Sequence, residues 1–375
     1  MKRHRLPVRI CWRDTVEKQG LLWHSQDGRT YWDESVAYEF TAGEVDRLEE
    51  CAAEWHRMYL EAAAQIVRNG WWQDVGISAE HVPLITKSWE NQEFSLYGRF
   101  DAVMDETGQP KLLEYNADTP TSLLESSVIQ WHWLEETRRH EDQFNSLHEK
   151  LIAAWKRSGL KRVHFSSVAD CPEDEMTVVY LQDTAMQAGL ETVSLAVEQI
   201  GWNTELNTFV DESEEPITAL FKLYPWEGML RDSFARYIPG SDCLFLEPPW
   251  KLLLSNKGIL PILWELFPDH PSLLPAFREP GPLGSTYVRK PVHSREGANI
   301  TIVENGSAVA EEPGPYGDTG FIYQAIARAQ PQDGNWPALG LWIVDGEPAG
   351  MGIREDTSRI TGNLSRFVPH WFRRA

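Results

Sequence analysis

The chain has 375 residues, 42% of them hydrophobic and 11% aromatic, enough to bury a substantial core and to divide into two or three substructures. A formal net charge of −21 disfavours a nucleic-acid partner, because neutralising phosphates takes clustered Lys and Arg. An acidic surface could attract a cationic amine, or could serve solubility alone.

The first residues, Met1-Lys-Arg-His-Arg5, are basic but run into Leu6-Pro-Val-Arg-Ile10 without an apolar stretch of signal-peptide length. No segment approaches the roughly 20 apolar residues of a membrane span, so no membrane partner and a cytoplasmic location are expected. The cysteines, Cys11, Cys51, Cys171 and Cys243, lie far apart, without a CxxC pair or histidines at zinc-ligand spacing. They point to buried or free thiols in a reducing compartment.

From Thr41 the pattern is that of a packing helix. Thr41 and Glu44 fit a capping box, Val45, Leu48, Ala52, Trp55, Tyr59, Ala62 and Ile66 recur at helical spacing, and Gly70 lies just past the end.

Tyr97 to Asp105 and Pro110 to Asn116 read as strands joined by a turn over Glu106 to Gln109, with Asp105 opposite Pro110. In that register Asp101 faces Glu114 and Arg99 faces Asn116, and strand alternation gathers all four on one patch. Opposed carboxylates repel unless a cation lies between them. Two acids and an amide carbonyl suit magnesium, completed by phosphates and water, and Arg99 would stabilise phosphate charge beside it. A hairpin whose polar face simply meets solvent fits the same alternation, and composition alone does not choose.

Val163 to Val168, a helix from about Glu173 to Ala188 with a stop at Gly189, and Thr192 to Ala196 make a strand–helix–strand unit with a parallel pair. Further strands are expected at Ile217 to Leu223, Leu244 to Leu246, Tyr287 to Lys290 and Phe321 to Gln324, then a Leu339 to Ile353 hairpin turning at Asp345-Gly346. Pro268 to Gly284 and Pro313 to Gly320 are the expected loops or lids.

The Walker A pattern GxxxxGK[ST] is absent, so a nucleotide's phosphates would need another cradle. Lys257, in Leu254-Ser-Asn-Lys-Gly258, and Lys290, on a strand leading into Ser294-Arg-Glu-Gly-Ala-Asn299, could supply charge while the loop's N–H groups close over phosphate. Arg354, in Gly352-Ile-Arg-Glu-Asp356, offers a second cation. Solvated lysines and a surface ion pair are the competing accounts.

Together these segments resemble the synthetase domain of glutathionylspermidine synthase, in the ATP-grasp superfamily. The resemblance runs in order through Tyr97-Gly-Arg-Phe-Asp101, Leu113-Glu-Tyr-Asn-Ala-Asp-Thr119, Lys222-Leu-Tyr-Pro-Trp-Glu227, Glu247-Pro-Pro-Trp-Lys251, Ser255 to Trp264, Arg289-Lys-Pro291, Arg295 to Ile300, Ile322-Tyr-Gln324 and Arg354-Glu-Asp356. It implies an α/β (α+β) chain with a permuted ATP-grasp fold, since Asp101 and Glu114 precede the lysines, and with an inserted parallel α/β substrate domain. The implied parts are residues 1–150 with the helical segment and metal-binding hairpin, 151–250 for substrate, and 251–375 with the lysine lid, adenine hinge and the rest of the core.

By this resemblance Asp101, Glu114 and Asn116 hold magnesium, while Arg99 and Arg354 bind phosphate in the transition state. ATP is met by Arg99, Asp101, Lys257, Lys290, the Glu296-Gly297 loop, the hinge Gln324, Ala325, Ile326 and Ala327, and Arg359, Ile360 and Thr361. Thr119 and Thr121 stand where the family has serines near the acid substrate. The amine-binding acids fall at Glu173 and Asp174, although acids are favoured at any helix N-terminus. Leu223 replaces a threonine for glutathione, and Arg366 stands where an acid for the polyamine is found; its charge would oppose a polycation. The expected activity is an ATP- and magnesium-dependent ligation of a carboxylate to an amine through an acyl phosphate. The chain begins too close to the synthetase for the amidase domain of bifunctional members, so product hydrolysis is not expected. A non-catalytic nucleotide-binding module and a metal-dependent hydrolase are the rival classes.

Overall fold

A computed structural model of the chain describes residues 1–26, 28–169, 171–295, 297–318, 320–363 and 365–373. Its centre is a five-stranded antiparallel sheet in the order Arg366–Val368, Glu347–Asp356, Trp336–Val344, Tyr97–Met104, Pro110–Asn116. Alternation along Tyr97–Met104 sends Phe100, Ala102 and Met104 to one face, where they are buried, and Arg99, Asp101 and Val103 to the other.

The buried face rests on the helix Ala42–Asn69. That helix starts on the expected capping box: Glu44 N–H donates to Thr41 Oγ1 at 3.2 Å and Thr41 N–H donates to Glu44 Oε2 at 2.9 Å. It ends at Gly70, whose φ of 72° suits a residue without a Cβ. Trp55 and Tyr59 meet Phe100 edge-on at 5.7 and 5.4 Å, and Phe100 stacks on Tyr115 at 3.8 Å. Each such ring contributes about 1.5–3 kcal/mol on burial, so this contact fixes the hairpin's orientation.

The hairpin departs from the simple register in one respect. Arg99 pairs with Asn116 and Asp101 with Glu114, but Ala102 pairs with Leu112, leaving Leu113 as a bulge. Met104 therefore faces Pro110, and Asp105 turns inward as an acceptor: its Oδ1 takes N–H groups from Thr107 at 2.8 Å and Gln109 at 3.0 Å. An aspartate that caps its own turn outcompetes a further ladder pair.

A second sheet is wholly parallel, in the order Leu244–Leu246, Ala219–Leu223, Arg162–Ser167, Glu191–Ala196, with the helix Pro172–Gln187 as one crossover. A third, antiparallel, runs Ala276–Phe277, Phe321–Gln324, Tyr287–Pro291, Thr301–Glu304, Ser307–Glu311. Its two-residue edge strand lies inside the expected loop 268–284, where flanking prolines hide so short a pairing. A small sheet joins Lys2–Arg5, Val36–Phe40 and His370–Phe372. No helix among the described residues is long and apolar enough to cross a membrane.

Candidate active site

The polar face of the hairpin forms one wall of a cleft whose other walls come from the third sheet, the 119–126 segment and the Glu347–Asp356 strand. Arg99, Asp101, Glu114, Asn116, Thr119, Thr121, Lys290, Gly297, Gln324, Ala325, Ile326, Ala327, Arg354, Arg359, Ile360 and Thr361 all line it. Glu296 lies outside the described residues. Strand alternation alone brings the four hairpin side chains together; the third sheet brings the lysine and the hinge from far along the chain.

Arg99 is the organising cation. Its Nε donates to Asp101 Oδ1 at 2.7 Å, its Nη2 to Asp101 Oδ2 at 3.0 Å, and its Nη1 to the Thr121 carbonyl at 2.5 Å. Gly340, opposite Asp101 on the neighbouring strand, leaves room for it, since a Cβ there would stand 2.8 Å from Arg99 Cδ. Asn116 Nδ2 donates to Asp101 Oδ2 at 2.9 Å. Burial pulls the Arg99 guanidinium down, but Asp101 outweighs that and holds it above its usual range.

Glu114 is met by Lys257 at 3.2 Å. Burial alone would raise its carboxyl, yet Lys257, Lys290 and Arg99 hold it below the usual range, so it stays ionised. Lys257 is not among the residues lining the cleft; it reaches Glu114, which is, and donates to the Ser294 carbonyl at 2.9 Å. Lys290 Nζ donates at 3.1 Å to the carbonyl of the bulged Leu113, and burial pulls it down to about 8. The bulge thus presents a carbonyl to the second lysine.

The loop after Lys290 crosses the cleft at Gly297, φ 73°, where a Cβ would approach the Thr361 carbonyl oxygen to 2.7 Å. Gln324 Nε2 reaches the Leu112 carbonyl at 3.4 Å, tying the hinge to the hairpin. Arg354 donates to the Gly362 and Asn363 carbonyls at 2.6 and 3.0 Å, while its Nε is buried without a partner. Arg359 pairs with Glu304 and lies over the Trp336 ring.

The substrate-side expectations divide. Thr119 and Thr121 face the cleft, and Arg295 Nη1 donates to Thr119 Oγ1. Glu173 and Asp174 occupy the first turn of the helix Pro172–Gln187, outside the cleft lining, with Glu173 acting on Tyr31 and Asp174 on Tyr97. Leu223 is a core residue of the parallel sheet and does not face the cleft. Arg366 points the other way, donating to Asp33 Oδ2 at 3.0 Å and Glu355 Oε1 at 2.7 Å in a separate groove. It lies outside the main cleft, in a groove also lined by Arg3, Arg5 and Arg29, and Arg3 shares the Glu355 carboxylate with it.

Two features carried no role in the sequence reading. Arg295 bridges Thr119 and Glu227, 3.5 Å from the latter. Lys222 and Asp118 form a buried pair at 2.6 Å, and Asp118 Oδ2 also accepts the Trp226 N–H at 2.8 Å, which positions the segment holding Thr119. The available signal was a lysine in the middle of an otherwise apolar strand, Ala219-Leu-Phe-Lys-Leu223.

Among the described residues no group of three or more His, Cys, Asp or Glu could hold a metal. A cation at the hairpin would rest on two carboxylates and an amide oxygen, an all-oxygen set that fits a hard divalent ion needing further ligands from phosphate and water.

The model of the family described as Glutathionylspermidine synthase preATP-grasp matches residues 3–373. The chain belongs to this family. A relative from Haemophilus influenzae, named as a candidate acid–amine ligase, is 44% identical over 93% of this chain and 92% of its own. Trypanothione synthetase from Crithidia fasciculata is 34% identical over 84% of this chain and 53% of its own. The bifunctional glutathionylspermidine synthetase/amidase of Escherichia coli is 27% identical over 88% of this chain and 58% of its own. The chain thus spans about half the length of these last two. A glutathione synthetase-like effector from Globodera pallida, in its apo form, shares the fold at a TM-score of 0.60 and 9% identity, over 96% of this chain and 95% of its own. The relatives of this family named above are thus acid–amine ligases and synthetases by their names.

Proposed function

We propose that the protein joins a carboxylate to an amine with ATP and magnesium, through an acyl phosphate, in a permuted ATP-grasp site. The observation that carries this reading is the convergence of Arg99, Asp101, Glu114, Asn116, Lys290 and Arg354 on one cleft roofed by Gly297.

In this reading the central and third sheets grip the nucleotide and the parallel sheet serves the substrate side. Asp101, Glu114 and Asn116 would hold magnesium, which when bound supplies charge neutralisation at the phosphates. Lys257 and Lys290 keep Glu114 ionised and bring positive charge to the phosphates. Gln324 to Ala327 meet the adenine, the 296–297 loop covers the phosphates, and Arg359 to Thr361 close the nucleotide side. Thr119 and Thr121 donate hydroxyls to the substrate carboxylate. Arg99 and Arg354 stabilise the charge that develops as the carboxylate oxygen attacks the γ-phosphorus, and most of the acceleration comes from such positioning. Glu173 and Asp174 place negative charge on the side from which an ammonium would approach.

The deciding measurement is ADP release with magnesium-ATP over a matrix of small peptides and amines, with Asp101→Asn as the control. ADP release that requires both an acid and an amine supports the ligase reading. No pair rising above the Asp101→Asn background would refute it, and turnover without ATP would favour a hydrolase.

A further inference from the structure

From the cleft wall a hydrogen-bonded chain runs inward. Ser122 lines the cleft beside Thr121 and holds a φ of 67°, a left-handed conformation that non-glycine residues adopt only where the surroundings impose it. Its Oγ lies 3.2 Å from the Tyr31 hydroxyl, and that hydroxyl donates to Glu125 Oε1 at 2.7 Å. With the Tyr31 proton directed at Glu125, Ser122 is the donor to Tyr31. Every link therefore points from the cleft to the carboxylate.

Glu125 is fully buried at the start of the π-turn Glu125–Ile129, an irregularity that recurs at functional sites. Trp23 Nε1 donates to its Oε1 at 3.1 Å, whereas its Oε2 is buried without a partner. An acid serving only to hold Tyr31 and Trp23 could be replaced by an amide at less desolvation cost. Among the described lining residues the carboxylates are Asp101, held by Arg99, and Glu114, held by Lys257.

We propose that Ser122, Tyr31 and Glu125 form the proton exit for amide formation, with Ser122 touching the attacking amine and the other two acting through it. This rests on the ligase reading above. The neutral amine nitrogen attacks the acyl-phosphate carbonyl carbon; the C–N bond forms, the bond from carbon to the phosphate oxygen breaks, and its electron pair leaves on phosphate. The surplus proton on nitrogen passes to Ser122 Oγ, the Ser122 proton to Tyr31, and the Tyr31 proton to Glu125 Oε1. One carboxylate becomes one carboxylic acid, and nothing is oxidised or reduced. Burial places the Glu125 carboxyl above its ordinary range, closer to the pH at which an acceptor is effective. The charged and titratable groups that act on the chain include Arg354 from the central sheet, on both Glu125 and Tyr31, Arg99 from the same sheet, on Tyr31, and Glu173 from the helix Pro172–Gln187, on Tyr31.

The test separates the two half-reactions. Glutathione and spermidine serve as carboxylate and amine, or else the pair giving the most ADP in the screen above. Positional isotope exchange in bridge-labelled ATP without amine reads acyl-phosphate formation, and product appearance with amine reads the second step. Tyr31→Phe, Glu125→Gln and Ser122→Ala should keep wild-type exchange while kcat for amide formation falls about 100-fold. In the wild type that kcat should rise with pH through the Glu125 ionisation and then level; Glu125→Gln should lose the rise. Equal losses in exchange and amide formation would mark a packing role and overturn the relay, as would unchanged amide formation. Should Glu125→Gln fail to fold, Ser122→Ala, which removes only a hydroxyl, decides. Absence of exchange in the wild type would refute the ligase reading and the relay with it, a result distinct from a loss confined to the second step.

Discussion

Lys257 Nζ stands 3.2 Å from Glu114 Oε2, so a lysine outside the cleft lining is neutralised by a hairpin carboxylate that belongs to it. The pair links two segments that are 143 positions apart (257 − 114). In the proposed site the nucleotide's phosphates would compete for this lysine. Lys257→Met should weaken ATP binding by about 10- to 100-fold, the worth of one charged hydrogen bond. Titration calorimetry with ATP reads this; an unchanged Kd would confine Lys257 to a bracing role.

Acid should loosen the protein at Glu227. Burial raises this carboxyl, but His293 and Arg295, each 3.5 Å away, pull it down to about 2 from an ordinary 4.5. Because the folded value is depressed, the stabilisation is complete above pH 4.5 and drains away between 4.5 and 2. It amounts to about 3 kcal/mol, from a shift of 2.5 (4.5 − 2). Chemical denaturation from pH 6 to 3 should show Glu227→Gln losing less stability across that window than the wild type.

Breaking the Lys222–Asp118 pair should be costly. Both side chains are 1% exposed and 2.6 Å apart, so Asp118→Asn leaves a buried ammonium without its counter-charge. A loss of about 3–5 kcal/mol is expected, whereas replacing both partners with apolar residues should recover much of it. Urea unfolding of the single and double variants measures the difference, and equal losses would contradict this account.

Gly340→Ala should damage activity more than stability. The added methyl would meet Arg99 Cδ at 2.8 Å in a backbone conformation that alanine tolerates, so the arginine must shift while the strand stays paired. Loss of an aligned guanidinium costs on the order of 100-fold in turnover. The melting temperature should change little; a collapse in melting temperature would show that the strand, not the arginine, had yielded.

The elements with strong local signals were legible in the sequence. The helix Ala42–Asn69 announced both ends, by Thr41 with Glu44 and by Gly70, and the parallel unit from Arg162 to Ala196 followed from two apolar runs around a crossover helix. The hairpin register at Asp101 and Glu114 was legible because alternation leaves few choices. The bulge at Leu113 was not, because it arises from Asp105 closing its own turn and from Leu112 N–H donating sideways to the Ser272 carbonyl at 2.9 Å. The groove that Arg366 enters was not legible for a related reason: strand parity, not residue type, decides it, and parity depended on pairing with Glu355 on the neighbouring strand.

Arg3, close to the start of the chain, donates two hydrogen bonds at 2.9 Å to Glu355, whose neighbour Arg354 faces the cleft. The strand bearing Arg354 is thus clamped from behind by residues synthesised some 350 positions earlier (355 − 3 = 352). During translation the carboxylate hairpin can pair with itself at once, but its sheet gains Trp336–Val344 and Glu347–Asp356 only after a further 220 positions (336 − 116). Contacts of such long range slow folding. The cleft is therefore incomplete until these later strands emerge, and a nascent chain that has made only the hairpin carries half of the candidate site.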